Sequence, residues 1–531
     1  MGISRITALA GIFLAVSVAF GVSMASEAGH ANTASIDSTD GSTLVFIEAP
    51  VVAAGAPMDR FPQGSRLMRM TPVTSASAIS AASNFFAAAD PNISFDATRV
   101  LFSGQKKKGG DWQIWEVGVD GANLRQITHC VVGCLQPVYL PRNQIAYTSL
   151  LGNGRQLESA IYVCQEDGSS AHPITFGPGE YEVETVLRNG RLLLSAKSTL
   201  LSEKSVAPSA NFIAPSAKSD VTSAASVRGK TVLLTGGAGR SHRALYTIRP
   251  DGSGLALLRQ DAAANILPAS ADELADGTIL FAEQESIERK DFVGDALEGE
   301  LRWILPGALR ASTVAQRPLV YGRAQELRKG TLLVAEREAG PVASSHGFGL
   351  YSFNPASKTR SKLLYRNPNA SSVQAVPLRP HAPPEYYWSI LHPDVKTGRI
   401  LCLNSYISQD ALGGRLAARI AKARVIALDQ SSKRELVLGE APVETDGSFF
   451  ATVPADMPIR FELLGAKGEV VRAQRSWIWA RTGEDRGCLG CHESDALAPE
   501  NHWPLVLRRS DTPSSLSTQL RAHTEHPQGI Q

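Results

Sequence analysis

Near the C-terminal end of this 531-residue chain, Cys488 and Cys491 flank two residues and His492 follows at once, in Arg486-Gly-Cys-Leu-Gly-Cys-His-Glu493. Three chemistries use such a set. Thiolates and imidazoles bind zinc tetrahedrally, a Cys-x-x-Cys pair shuttles a disulfide, and two thiols at this spacing add across the vinyl groups of a haem while the next histidine reaches the iron. Zinc would take Cys488, Cys491, His492 and His502, but His492 adjoins a ligand cysteine and tetrahedral closure is awkward. A disulfide shuttle wants a βαβ context, and the surrounding sequence has none. With 6 cysteines and 11 histidines in 531 residues, a chance Cys-x-x-Cys-His arises on the order of once in a thousand such chains. One covalent haem c is therefore expected, with thioethers at Cys488 and Cys491 and His492 as axial ligand.

What stands on the far face of the iron decides between electron transfer and catalysis, because a strong second ligand blocks substrate. His502, in Pro499-Glu-Asn-His-Trp-Pro504, is the candidate second axial ligand, weighed against a plain solvated loop histidine; Met457 is another candidate, weighed against packing in a core. Arg475, Arg481 and Arg486 are candidates to pair with haem propionates through charge-assisted bonds, or are simple surface charge. Trp477 and Trp479 alternate on a strand-like run and could cover a haem edge or pack in a core. A separate cluster, His129-Cys130-Val-Val-Gly-Cys134, is read either as a Cys130 to Cys134 disulfide or as an additional zinc site of His129, Cys130 and Cys134.

These side chains need a scaffold and a compartment. Residues 1–25 place a basic Arg5 before an apolar run and end in Ser23-Met24-Ala25, the pattern of a cleaved signal peptide. Export to the periplasm or another extracytoplasmic space is expected, with no stable membrane span after cleavage, and such a space permits disulfides. Lysine plus arginine number 53 against 51 acidic residues, a net charge of +2, so no field for a polyanion exists and nucleic acid is not an expected partner. Forty-five glycines and thirty prolines favour many short elements joined by turns.

The middle of the chain repeats a turn followed by a strand, beginning at residues 90–104, 136–150, 186–197, 273–284, 326–337 and 394–405. Aromatic-centred strands with polar turns lie between these phrases, and Asp-Gly pairs at 120, 167 and 251 suit tight hairpins. Ile114 and Ile161 lie 47 residues apart, the size of a four-stranded propeller blade. The fold class expected is mainly β: a six-bladed β-propeller over 86–411, a small β-sandwich over 412–480, and a haem c attachment segment and tail over 481–531. Residues 26–85 form an N-terminal region with one propeller-closing strand, and the Ser/Ala-rich stretch 202–227 is an inserted loop.

The phrase from Pro91 to Phe102 resembles the TolB-type propeller repeat. Over roughly 86–500, and most distinctively over 444–493, where Asp446-Gly-Ser-Phe, Val453-Pro-Ala-Asp, Arg475-Ser-Trp and Cys-x-x-Cys-His-Glu occur in order, the chain resembles the hydrazine synthase alpha subunit and its haem-bearing relatives. That resemblance implies thioether attachment at Cys488 and Cys491 and iron ligation by His492. It departs from the family in having one Cys-x-x-Cys-His and in carrying Ala496 where the resemblance implies a tyrosine that approaches the iron. The expected function is one-electron transfer by an exported c-type haem protein that docks a redox partner protein. The alternatives are a redox enzyme acting on a small nitrogenous substrate at an open iron, and an assembly module with a structural haem.

Overall fold

The computed structural model describes residues 43–50, 63–70, 76–79, 82–151, 158–198, 242–260, 266–285, 298–305, 311–313, 319–336, 347–355, 362–407, 416–474, 476–489, 503–509 and 512–516. The signal-peptide region, the inserted loop at 202–227 and the sites Arg475, Cys491, His492, Ala496 and His502 lie outside them.

Strands make up most of the regular structure of the described chain, which holds one short helix. The strands at Ala87–Ile93, Arg99–Gln105, Gln113–Gly118 and Arg125–Gln126 make one four-stranded sheet, the first blade. Cys134–Leu140 opens a second blade and Glu180–Val186 a third, bridged by a parallel contact between Ser159 and Glu180. Ile266–Glu273 opens a fourth and Gln325–Arg328 a fifth, joined into one larger sheet by an antiparallel contact between Val320 and Glu336. Burial explains why the repeat was legible. Val100, Leu101, Phe102 and Ser103 are all fully buried, because a blade is covered on both faces by its neighbours and its middle strands read as continuous apolar runs. The Asp-Gly turns form as expected: Gly121, Gly168 and Gly252 have φ of 86°, 84° and 83°, and the Asp120, Asp167 and Asp251 carboxylates accept the backbone N–H two residues on.

The sixth blade differs from the expectation. Its innermost strand is Ala370–Leu378, and its other three strands are Thr43–Pro50, Arg66–Met70 and Ala76–Ala78. Three N-terminal strands rather than one complete the propeller. The sixth sequence phrase, 394–405, is not a blade at all: Thr397–Cys402 pairs with Phe449–Pro454 and with Asp485–Cys488. Turn-strand phrases mark any sheet onset, so the period alone cannot tell a blade from a sandwich strand.

Four blades share one device at the axis. Asp90, Gln136, Ser270 and Gln374 sit at bulges of innermost strands with φ of 50–54°, and all four line a narrow central channel of about 50 Å³. Their polar side chains brace one another. Asp90 accepts from the Ser103 hydroxyl at 3.0 Å, and its N–H donates to Gln374 Oε1 at 2.8 Å.

Two four-stranded sheets form the sandwich. One runs Asp485–Cys488, Thr397–Cys402, Phe449–Pro454, Ser514–Ser515; the other runs Arg434–Pro442, Lys422–Asp429, Ile459–Leu464, Val470–Ala473. Ile400, Val425, Phe449, Val453, Ile459 and Phe461 fill the space between them. The sandwich thus begins before residue 412 and includes the strand that leads into the cysteine motif. Among the described residues no helix is long and apolar enough to cross a membrane.

Candidate haem attachment site

Cys488 ends the edge strand Asp485–Cys488, which runs parallel to Thr397–Cys402 with Cys402 opposite Cys488. The Cys488 carbonyl accepts from Leu403 N at 2.8 Å, and the Glu484 carbonyl accepts from Arg399 N at 2.8 Å. An Arg399–Asp485 ion pair closes the exposed side of the pair. Cys488 is half-buried and packs against the sandwich core, so its position is set by a sheet rather than a loop.

Immediately upstream, Ser476 to Arg486 bolts the sandwich to the propeller. Trp479 is fully buried among blade residues, with Phe176 and Tyr181 edge-on at centroid distances of 5.9 Å each, and its indole N–H donates to Gly252 O at 3.3 Å. Glu484 accepts from Gly254 N at 2.8 Å and from Arg481 N at 2.7 Å. Arg486 donates to Trp479 O at 2.8 Å and Leu255 O at 2.7 Å. All of these meet the third-blade turn at Asp251 to Leu255.

Glycine is required in that turn. A Cβ on Gly252 would stand 2.8 Å from Ile174 O and 3.1 Å from Arg481 Nε, inside any ordinary contact distance.

Several sequence candidates fall into structural roles. Arg481 pairs with Asp456 at 3.2 Å and lies 4.7 Å over the Phe176 ring, so it is spent on the interface rather than facing solvent. Trp477 packs beside Ile426 and Leu428, on the face of Lys422–Asp429 opposite Val425 and Ala427 of the sandwich core, and Met457 packs against that core. Downstream of the motif, the short helix Leu505–Arg509 is fastened by Leu505 N to Asp446 Oδ2 at 2.8 Å and Val506 N to Ser448 Oγ at 3.1 Å. Both flanks of the Cys491–His492–His502 stretch are therefore anchored to one sheet.

The additional zinc site is overturned. Cys130 and Cys134 form a disulfide with Cα atoms 5.9 Å apart, so neither sulfur is available as a thiolate ligand. The His129 ring nitrogen Nδ1 is within 3.2 Å of the Gln126 amide. Among the described residues no cluster of three histidine, cysteine or acidic side chains exists that could hold a metal. Cys164 nearby is buried, which pushes its thiol pKa up to about 12; such a thiol is inert.

A cavity of about 470 Å³ opens at the channel mouth and had no sequence signal, since its lining comes from every part of the propeller and the strap at 379–385. Asp272, Glu273, Arg323 and His381 face it. Desolvation raises the pKa of Asp272, opposed by the charge of Arg323, and desolvation likewise raises Glu273.

Residues 394–493 match the family model described as the hydrazine synthase alpha subunit middle domain, a span that begins at the first sandwich strand and ends on the cysteine motif. This segment belongs to the hydrazine synthase alpha-like family. The hydrazine synthase subunit alpha of Kuenenia stuttgartiensis is 35% identical over 109 residues, which is 20% of this chain and 13% of that relative. The chain therefore spans a small part of the curated relative it matches. The solved Kuenenia stuttgartiensis hydrazine synthase matches 89% of this chain and 72% of its own at a TM-score of 0.69 and 17% identity, so the shared fold extends across the propeller. TolB from Acinetobacter baumannii matches 64% of this chain and 67% of its own, with a TM-score of 0.41 and 10% identity.

Proposed function

We propose that this chain is an exported c-type haem protein that transfers single electrons to a docked partner protein. The observation that carries the reading is the Cys-x-x-Cys-His motif at the end of the hydrazine synthase alpha-like segment, its first cysteine delivered by a sheet-locked strand. Cys488 and Cys491 would hold the macrocycle and His492 the iron. A haem supplies one-electron redox chemistry when bound. What the chain supplies is positional: the strand fixes Cys488, the Trp479 interface fixes the strand, and the helix Leu505–Arg509 fixes the chain beyond His502. The fit rests on chemistry as well as sequence, since guanidinium groups gather beside the motif strand and one has a buried Nε without a hydrogen-bond partner among the described residues. The N-terminal pattern at residues 1–25 supports export to an oxidising space, as does the Cys130–Cys134 disulfide.

The pyridine haemochrome spectrum of the purified protein tests this. A c-type spectrum is expected, and it should vanish when Cys488 and Cys491 are both replaced by alanine; covalent haem that survives the double replacement would sink the proposal. A second reading, catalysis at an open iron, draws on the matched relative being a synthase subunit. Carbon monoxide added to the reduced protein separates the two. Sharp low-spin bands that ignore the gas favour electron transfer, whereas a shifted Soret band favours an open site.

A further inference from the structure

Three arginines converge beside the motif strand from different parts of the chain. Arg191 follows a turn in the third blade, Arg249 ends the strand His242–Ile248, and Arg486 lies two residues before Cys488. A Cβ built on Gly254 would meet Arg191 Nη1 at 3.5 Å and Arg249 Cζ at 3.9 Å, and Arg486 donates to the adjoining Leu255 carbonyl at 2.7 Å. All three are half-buried. Among the described residues none of them has a carboxylate within 4.0 Å, although the region holds Asp251 and Glu484. Those two acids are occupied elsewhere: Asp251 accepts from Ser253 and Ser389, and Glu484 from backbone N–H groups.

Gathering like charges away from water is unfavourable unless an anion joins them. Desolvation first, then the charges of Arg249 and Arg486, lower the pKa of Arg191, and Tyr387 and Asp251 oppose them only in part. Arg249 is the least committed of the three. Its Nε is buried without a hydrogen-bond partner among the described residues, and its guanidinium lies 5.4 Å from the Tyr387 ring centroid. Arg191 is committed to Thr247 and Gly254, and Arg486 to two carbonyls. A planar guanidinium fork with unspent donors matches the two oxygens of a carboxylate.

We propose that Arg191, Arg249 and Arg486 form an anion pocket that receives the propionate carboxylates of the haem attached at Cys488 and Cys491. The proposal rests on the haem c reading above. It places the pocket on the strand that delivers the first attachment cysteine, with Cα atoms of Arg486 and Cys488 separated by about 7 Å of extended chain. A free oxyanion such as phosphate shares the same chemistry.

The test uses holoprotein carrying Arg249→Gln, Arg191→Gln, Arg249→Lys, or Arg328→Gln, the last an exposed arginine on the fifth blade that makes the same charge change away from the cluster. Haem stoichiometry, midpoint potential and melting temperature are measured for each. Arg249→Gln and Arg191→Gln should keep the haem and lower the potential, because losing a neighbouring cation stabilises the ferric form. Arg249→Lys should restore most of the potential, and Arg328→Gln should match the wild type. Full haem loading with an unmoved potential in both glutamine variants overturns the pocket while leaving the haem reading intact. Phosphate that stabilises the wild type but not Arg249→Gln, with no change in potential, assigns the pocket to a free oxyanion and also overturns it. Wild-type protein without covalent haem would overturn both.

Discussion

At the scale of single residues, Trp479 does more than any other side chain to join the two halves of the molecule. It is fully buried, edge-on to two aromatic rings and hydrogen-bonded to Gly252 O. Trp479→Ala should cost about 3–5 kcal/mol, read as a lower urea midpoint, while Trp477→Ala should leave the propeller's own transition in place. Asp272 offers a pH test. Its folded pKa is raised above the ordinary 3.8 by desolvation, so folding favours the protonated form; stability is highest below that ordinary value and falls as pH rises through the folded one. Asp272→Asn should therefore raise the melting temperature more at pH 7 than at pH 4, and an equal effect at both would refute the assignment. The cysteine motif was legible because Cys488, Cys491 and His492 lie within five consecutive residues. Arg191 and Arg249 were not, because they reach the motif strand only through the path of the third blade.

At the scale of elements, the turn-strand phrases located five blades and misassigned a sixth. A turn followed by an apolar strand marks a sheet onset whether the strand is buried on both faces, as Arg99–Gln105 is, or on one, as Thr397–Cys402 is with its alternating burial. Pairing partners decide between them, and pairing is non-local. The disulfide loop gives a clean measurement at this scale. Closing so short a loop as Cys130–Cys134 restricts the unfolded chain modestly, so Cys130→Ser with Cys134→Ser should cost about 2 kcal/mol and leave any haem spectrum unchanged. A loss of bound metal in that variant would reinstate the discarded zinc site.

At the scale of the whole molecule, the near-balance of 53 basic and 51 acidic residues leaves no global field for steering a partner. If the proposed electron transfer to a partner protein holds, its rate should change by less than about tenfold between low and physiological salt, checked by stopped-flow mixing. A steeper dependence would point to a local charged patch as the docking face. The mainly β class and the propeller-then-sandwich order were readable from repeats and turns. The seam between the two bodies was not, because Trp479, Glu484 and Arg486 read in sequence as a polar linker with two aromatics, and only the third-blade turn reveals them as a joint.

The closing of the sixth blade by Thr43–Pro50 has a consequence for how the chain comes into being. Leu44, Val45, Phe46 and Ile47 are almost wholly buried, yet their partner strand Ala370–Leu378 lies at the far end of the propeller. In any synthesis or translocation that proceeds from the N-terminus, this sticky apolar strand emerges first and waits longest for its mate. The sixth blade cannot close until the last propeller strand is made, and a chain halted before residue 378 would keep the Thr43–Pro50 edge that Ala370–Leu378 covers unpaired, an aggregation hazard.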